Sequence, residues 1–310
     1  MKRVIWSVGR FLRRGFPFAA LAAIVLGALC CPRPKTQTEA EERIVLIWNV
    51  DTFEGGKGSR ASFLSRVARL TEKRTEGVYY RVVAYTAEGA RAAMAEGEYP
   101  DVLSFGVGLD VDESRCETLP YAFAGSRLAV PWCRGGYYLF SRTEDGFTED
   151  GFTEDSSAEG ETVISVGGSN LACAAAYFAG VSGSETESLS AYVDFLGGKY
   201  RYLLGTQRDK CRFASRGAAV YAKPLTEFCD LYQYVSVLSE EAYDDALFFV
   251  NTLRSEAVQC QLGEIGMLPA AGAAGYTTGA FMTAETSAAF AQAVRAGEPR
   301  KNIENFLKTV

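Results

Sequence analysis

The sequence predicts an α/β protein with mostly parallel sheets, and three observations carry that expectation. Short β-rich apolar runs alternate with segments whose apolar residues recur at helical spacing, first over 44–105 and again from 162 onward. The first run ends in a polar, glycine-rich loop that leads straight into a helical pattern. Hydrophobic residues make up 48% of the 310 and charged ones 23%, so the chain can bury a full core.

At the N-terminus, Arg10, Arg13 and Arg14 precede an apolar run from Phe16 to Leu29, followed by Cys30 and Cys31. The run falls short of the ~20 residues that span a bilayer comfortably, so residues 1–31 read as an export signal. A cysteine directly after such a run resembles the lipobox of bacterial lipoproteins. That resemblance implies acylation of Cys30 and a membrane anchor through the lipid. Residues 32–42 read as a short solvated tether.

In the body, the pattern gives a strand at 44–48, a helix at 59–74, a strand at 78–85, a helix at 87–96 and a strand at 101–105. Ser59 and Thr86 are the expected N-caps, because each short hydroxyl side chain precedes a helical run. Pro120 to Pro131 is irregular, and a strand-rich region opens at Tyr137. The tandem Gly-Phe-Thr-Glu-Asp copies within 143–155 lack the spacing of a calcium loop and concentrate six acids, which points to a surface loop. The alternation resumes with a strand at 162–166, helices at 170–179 and 185–196, and a strand at 200–205. Ser184 and Glu187 form the expected capping box of the second helix, with Leu189, Tyr192, Val193 and Leu196 facing inward. A strand at 232–238, a helix from Glu240 and helices at 284–296 and 300–308 complete the chain.

Composition excludes several functions. The first 35 residues carry seven basic and no acidic side chains, so without them the formal charge moves from −6 to −13. A body that acidic repels phosphate backbones, and nucleic acid is not an expected partner. The chain has no histidine, which removes Ser-His-Asp and Cys-His catalysis and His-based metal sites. The cysteines at 116, 133, 173, 211, 229 and 260 form no CxxC pair, so no zinc site is expected. Cys173 and Cys260 sit in apolar helical patterns and read as core, and one or two disulfides are compatible with export. No cofactor motif is present.

The candidate ligand residues cluster where strands end. Trp48, Asp51, Phe53 and Glu54 offer flat apolar faces and acceptors on the first loop. Such loops at the carboxyl ends of strands are where open α/β sheets bind small molecules. Ser59 and the helix start can receive a ligand oxygen. Gly55-Gly-Lys-Gly-Ser59 lacks the Lys-Ser/Thr adjacency of a phosphate loop. Asp51 and Glu54 share one loop, whereas glycosidase acids normally flank the substrate from different elements. Trp48 and Trp132 border turns and either stack on ligand or fill core. Arg208 either clamps a carboxylate or pairs with Asp209 across the cleft mouth. Tyr232 lies on a strand whose alternate residues face the core or the ligand.

Six segments carry a resemblance. They are Trp48-Asn-Val-Asp-Thr-Phe-Glu-Gly-Gly-Lys-Gly-Ser-Arg60, Pro100-Asp-Val-Leu-Ser-Phe-Gly106, Pro131-Trp-Cys-Arg-Gly-Gly-Tyr137, Leu203-Leu-Gly-Thr-Gln-Arg-Asp209, Asp230-Leu-Tyr-Gln-Tyr-Val-Ser236 and Gln261-Leu-Gly-Glu-Ile-Gly-Met-Leu-Pro269. In this order they resemble extracellular solute-binding proteins of the family-1 type, which serve ABC importers. The resemblance implies a two-lobed, periplasmic binding protein-like type II fold with a ligand cleft between the lobes. It implies an N-lobe from 43–133 and 226–262 and a C-lobe from 134–225 and 263–310. Trp48, Asp51, Phe53, Glu54, Ser59 and Phe105 would then face Asn170 and Arg208, with Trp132, Tyr137 and Tyr232 near the crossings. The expected function is an extracytoplasmic receptor, not an enzyme, that binds a small solute such as a sugar and delivers it to permease subunits. The alternatives are an exported α/β hydrolase or transferase, or a surface receptor that senses without transport.

Overall fold

The computed structural model describes residues 42–309 apart from 145–146, 149–150, 153–160 and 272–274. The export signal with Cys30, nearly all of the tether and most of the tandem repeat lie outside the described residues. Among the described residues, no helix is long and apolar enough to cross a membrane.

The first five elements are β1 (Arg43–Val50), α1 (Arg60–Glu72), β2 (Val78–Tyr85), α2 (Ala87–Ala95) and β3 (Val102–Gly106). They form where the pattern expects them. Ser59 Oγ caps α1 by accepting from Ser62 N, and Thr86 Oγ1 caps α2 by accepting from Gly89 N. α1 buries Phe63, Leu64, Val67 and Ala68, the residues that its 3.6 period places on one face. β4 (Val130–Arg134) follows, and the chain then leaves this sheet through Gly135 and Gly136.

The second sheet begins at β5 (Tyr137–Ser141). Next come the paired dipeptides β6 (Phe147–Thr148) and β7 (Gly151–Phe152), then β8 (Thr162–Val166), α3 (Ala172–Ala179) and β9 (Ser184–Glu187). α4 (Ser188–Leu196), β10 (Tyr202–Thr206), α5 (Gln207–Arg216) and β11 (Tyr221–Leu225) complete this region. The chain returns through β12 (Phe228–Cys229) to β13 (Tyr232–Val237), α6 (Tyr243–Arg254), α7 (Glu256–Gln259) and β14 (Leu268–Pro269). β15 (Tyr276–Thr277), α8 (Ala284–Arg295) and α9 (Arg300–Thr309) end it.

The first sheet has the order β14-β4-β13-β3-β1-β2 and the second β11-β5-β10-β8-β9. β1, β2 and β3 are parallel, and β13 enters antiparallel between β3 and β4 after its passage from the second sheet. Segments 44–105 and 162–205 therefore stand in different sheets, and the chain crosses between them at Gly135–Gly136 and again between Leu225 and Tyr232. This is the two-lobed type II arrangement. β3 and β13 are buried along their whole length, as interior strands covered on both faces must be.

Several local expectations are corrected. Ser184–Glu187 is an edge strand parallel to β8 rather than the start of a helix. Glu187 caps α4 instead, accepting from Leu189 N and Ser190 N. Ser188, Ala191, Tyr192 and Phe195 face inward, Tyr192 as expected, while Leu189, Val193 and Leu196 are exposed. The aromatic rings decide the face, since Tyr192 and Phe195 both pack on Phe213 of α5. Leu268–Pro269 hydrogen-bonds to β4 in the first sheet, whereas the chain beyond 262 was expected in the second lobe. Cys173 is buried but Cys260 is exposed, and all six body cysteines are free thiols.

Candidate functional site

The loop after β1 is anchored from behind by a buried polar network. Ser104 Oγ on β3 accepts from Trp132 Nε1 (3.0 Å) and Gln233 Nε2 (3.1 Å) and donates to Asn49 Oδ1 (3.2 Å). That one hydroxyl uses its full donor and acceptor capacity. Asn49 Nδ2 in turn donates to Asp51 Oδ1 (2.8 Å), and Gln233 Nε2 also reaches Val50 O (3.0 Å). Arg60, the first residue of α1, completes the network. It is 1% exposed, pairs through Nε with Asp51 Oδ1 at 2.8 Å, donates to Phe53 O and lies 4.2 Å over the Phe53 ring.

The same loop meets the second lobe. Gln207 Nε2 donates to Glu54 O (2.9 Å), and the Arg208 guanidinium pairs with the Glu54 carboxylate rather than with Asp209, whose carboxylate is taken by Arg212 and the Thr206 N–H. Gln207 also bonds the first crossing twice, through its own N–H to Gly136 O and through Oε1 from Gly136 N, both at 2.9 Å. Thr206 and Asp209 hold this end of α5 in place as a capping box. Gly168, at φ +61°, brings its backbone against Thr52 and Phe53. Gly56 packs so closely on the Gly266 carbonyl that a Cβ would clash with backbone.

Glu54 and Arg208 are each about one-third exposed, so their pair steers lobe contact more than it stabilises the fold. Glu54→Gln is expected to change stability by less than ~1 kcal/mol while increasing the fraction of molecules with separated lobes. A larger radius of gyration in small-angle scattering reads that change; an unaltered scattering profile would show that the pair does not hold the lobes together.

At the second crossing, Asp230 is fully enclosed. It accepts from Tyr137 OH (2.7 Å) at the start of β5 and from Leu171 N (2.9 Å) at the N-cap of α3. Burial raises its pKa to about 6, against the two hydrogen bonds, which pull it down.

The structure brings together Asp51, Phe53 and Glu54 from the first lobe with Arg208 from the second. Ser59 serves as the α1 cap. Asn170 closes the turn at Gly167, accepting from its N–H at 3.4 Å, beside the Gly168 contact. The large aromatic residues are corrected to core roles. Trp48 is buried against Tyr85 with ring centroids 4.4 Å apart, and Phe105 packs on Tyr234 and Phe281. Trp132 stacks on Phe63, Tyr232 packs between Phe123 and Tyr234, and the Tyr137 hydroxyl is taken by Asp230. The reason is shared: each sits on a strand covered on both faces, so lying close to a turn does not bring the ring into the cleft. Phe53 is also buried, beneath Arg60. Sequence reasoning missed Arg60, Gln207 and Asp230. The lone acid in the apolar run Phe228-Cys-Asp-Leu-Tyr232 was a readable signal for the last of these.

This fold is the one found in extracellular solute-binding proteins. A putative extracellular solute-binding protein from Bordetella parapertussis is 13% identical with a TM-score of 0.58, covering 83% of this chain and 99% of its own. The Trichodesmium protein IdiA (FutA), solved with iron and citrate, is 12% identical with a TM-score of 0.57, covering 83% and 100%. The sugar-binding protein MalE from Xanthomonas citri is 15% identical with a TM-score of 0.53, covering 86% and 95%. No protein-family model matches the sequence, and the comparison with curated proteins found no match.

Proposed function

We propose that the protein is an extracytoplasmic solute receptor that closes two lobes on a small molecule and presents it to the permease subunits of an ABC transporter. One observation carries the reading: a loop at the carboxyl end of β1 meets residues 168 and 207–208 across the junction of two α/β lobes linked by two crossings. Ligand contacts to both sides of such a junction favour the closed arrangement by a population shift. The ligand-facing set is Asp51, Glu54 and Ser59 from one lobe and Asn170 and Arg208 from the other. The lobes are 43–133 with 226–262, and 134–225 with the C-terminal helices. The fold neighbours support a binding role, one of them by being a sugar-binding protein and another by being solved with iron and citrate. The protein acts without catalysis. It is exported by its N-terminal signal and held at the membrane by a lipid on Cys30.

A thermal-shift screen against sugars, amino acids, polyamines and oxyanions tests the receptor role. A solute at a hundred times its dissociation constant is expected to add about 2.7 kcal/mol of stability. Stabilisation by none of these classes would remove the reading. Fatty-acid labelling of the wild type and of Cys30→Ser tests the anchor, with loss of label in the variant as the expected result.

A further inference from the structure

We propose that the solute is anionic and that Arg60 takes its acidic group; this rests on the receptor reading above and names its substrate class. Arg60 is 1% exposed, yet its Nη1 has no hydrogen-bond partner among the described residues. Two further buried polar atoms in the same region, Thr52 Oγ1 and Gln233 Oε1, also lack one. Buried donors and acceptors are almost always satisfied, so a cluster of unsatisfied ones points to a missing polar partner. A guanidinium offers five N–H donors in a planar fork, and a carboxylate or phosphate fills that fork in pairs.

The surroundings select the sign of that partner. Asp51 supplies a single oxygen to Arg60 Nε, shares it with Asn49 Nδ2, and is itself 47% exposed on its side chain. Asp51 is the solvent-exposed member of the pair, whereas Arg60 is fixed by burial and by the Phe53 ring. Arg60 also opens a helix of 13 residues whose first turn contains no acid. The helix dipole adds to the positive potential there. The two acids of the loop, Asp51 and Glu54, already face Arg60 and Arg208, so a cationic solute would have to break both pairs. An incoming acid replaces Asp51 on Arg60 and leaves the exposed carboxylate to water.

The test compares acidic probes (succinate, inorganic phosphate and glucose 6-phosphate) with neutral sugars and with spermidine, by thermal shift and then titration calorimetry. Stabilisation by an acidic probe alone is expected. Asp51→Asn should lower the melting temperature of the protein without added solute, because it removes the countercharge of a buried cation. The same variant should bind the acidic probe at least about threefold more tightly, since it removes the competitor. Arg60→Lys should bind about tenfold more weakly, since it keeps the charge and loses the fork. If Arg60→Lys does not fold, the Asp51→Asn comparison decides alone. Stabilisation by a neutral or cationic probe, with Asp51→Asn weakening it, would overturn the anion proposal and leave the receptor standing. An acidic probe whose affinity is unchanged in Asp51→Asn would overturn the role of Arg60. Stabilisation by no probe of any class would overturn both.

Discussion

Trp132→Ala is expected to cost about 4 kcal/mol of folding stability, read as a lower urea midpoint. The ring is fully buried, stacks on Phe63 at 5.8 Å and donates its only N–H to Ser104 Oγ. Truncation leaves a cavity between α1 and the first sheet and removes one of the two donors on which Ser104 depends. Domains of this kind are held by only about 5–15 kcal/mol, so the loss is a large share of the whole. Trp132→Phe separates the causes, since it keeps most of the packing and removes the hydrogen bond. A Trp132→Ala protein of unchanged stability but weakened solute binding would place the ring in the cleft and overturn its core role.

Asp230 is expected to make the protein more stable as pH falls from neutrality. Its folded pKa is raised from 3.8 to about 6, so the folded state binds the proton more tightly than the unfolded chain does. Stability therefore increases as pH drops through about 6, and the increase is complete below the unfolded value. A shift of this size corresponds to roughly 3 kcal/mol over that whole window, about 1 kcal/mol of it between pH 7 and pH 5. Asp230→Asn does not titrate and should lack this component, while the other carboxylates contribute equally to both proteins. Unfolding free energies at pH 7 and pH 5 for the two proteins give the difference directly. Identical pH dependence in both would show that Asp230 is not held as an enclosed, raised carboxyl.

The first lobe was legible because its signals are local. Alternation of β-rich runs with a 3.6-residue period, together with hydroxyls at Ser59 and Thr86, fixes β1 through β3 without knowledge of distant partners. α5 was not legible, since it buries only Gln207, Asp209 and Phe213 and so presents no apolar stripe. The inward face of α4 was read only in part: Tyr192 is inside as expected, but Leu189 and Val193 are as apolar as the aromatics that win the interior. Of the residues that meet across the junction, Asp51 and Glu54 were readable as acids on a loop at a strand end and Arg208 as a cation just beyond a strand, although it stands in the first turn of α5. The aromatics were not, because nearness to a turn says which end of a strand a residue occupies and not which way it points. Arg60 was hidden by the opposite prior: charged side chains are rarely enclosed unless paired.

The three hydrogen bonds of Gln207 tie the first crossing to the loop after β1. Two of them grip Gly136 from both sides, and the third reaches Glu54 on the far loop. Points bonded to a crossing move little when one lobe swings, while points on the opposite rim travel furthest. One side-chain amide bonds both Gly136 and Glu54, so the Glu54 contact lies beside the crossing, where a closing motion of the proposed kind displaces it least. In the proposed receptor a substitution at Gln207 would therefore loosen the crossing and the loop contact together, changing how stiffly the two lobes are coupled.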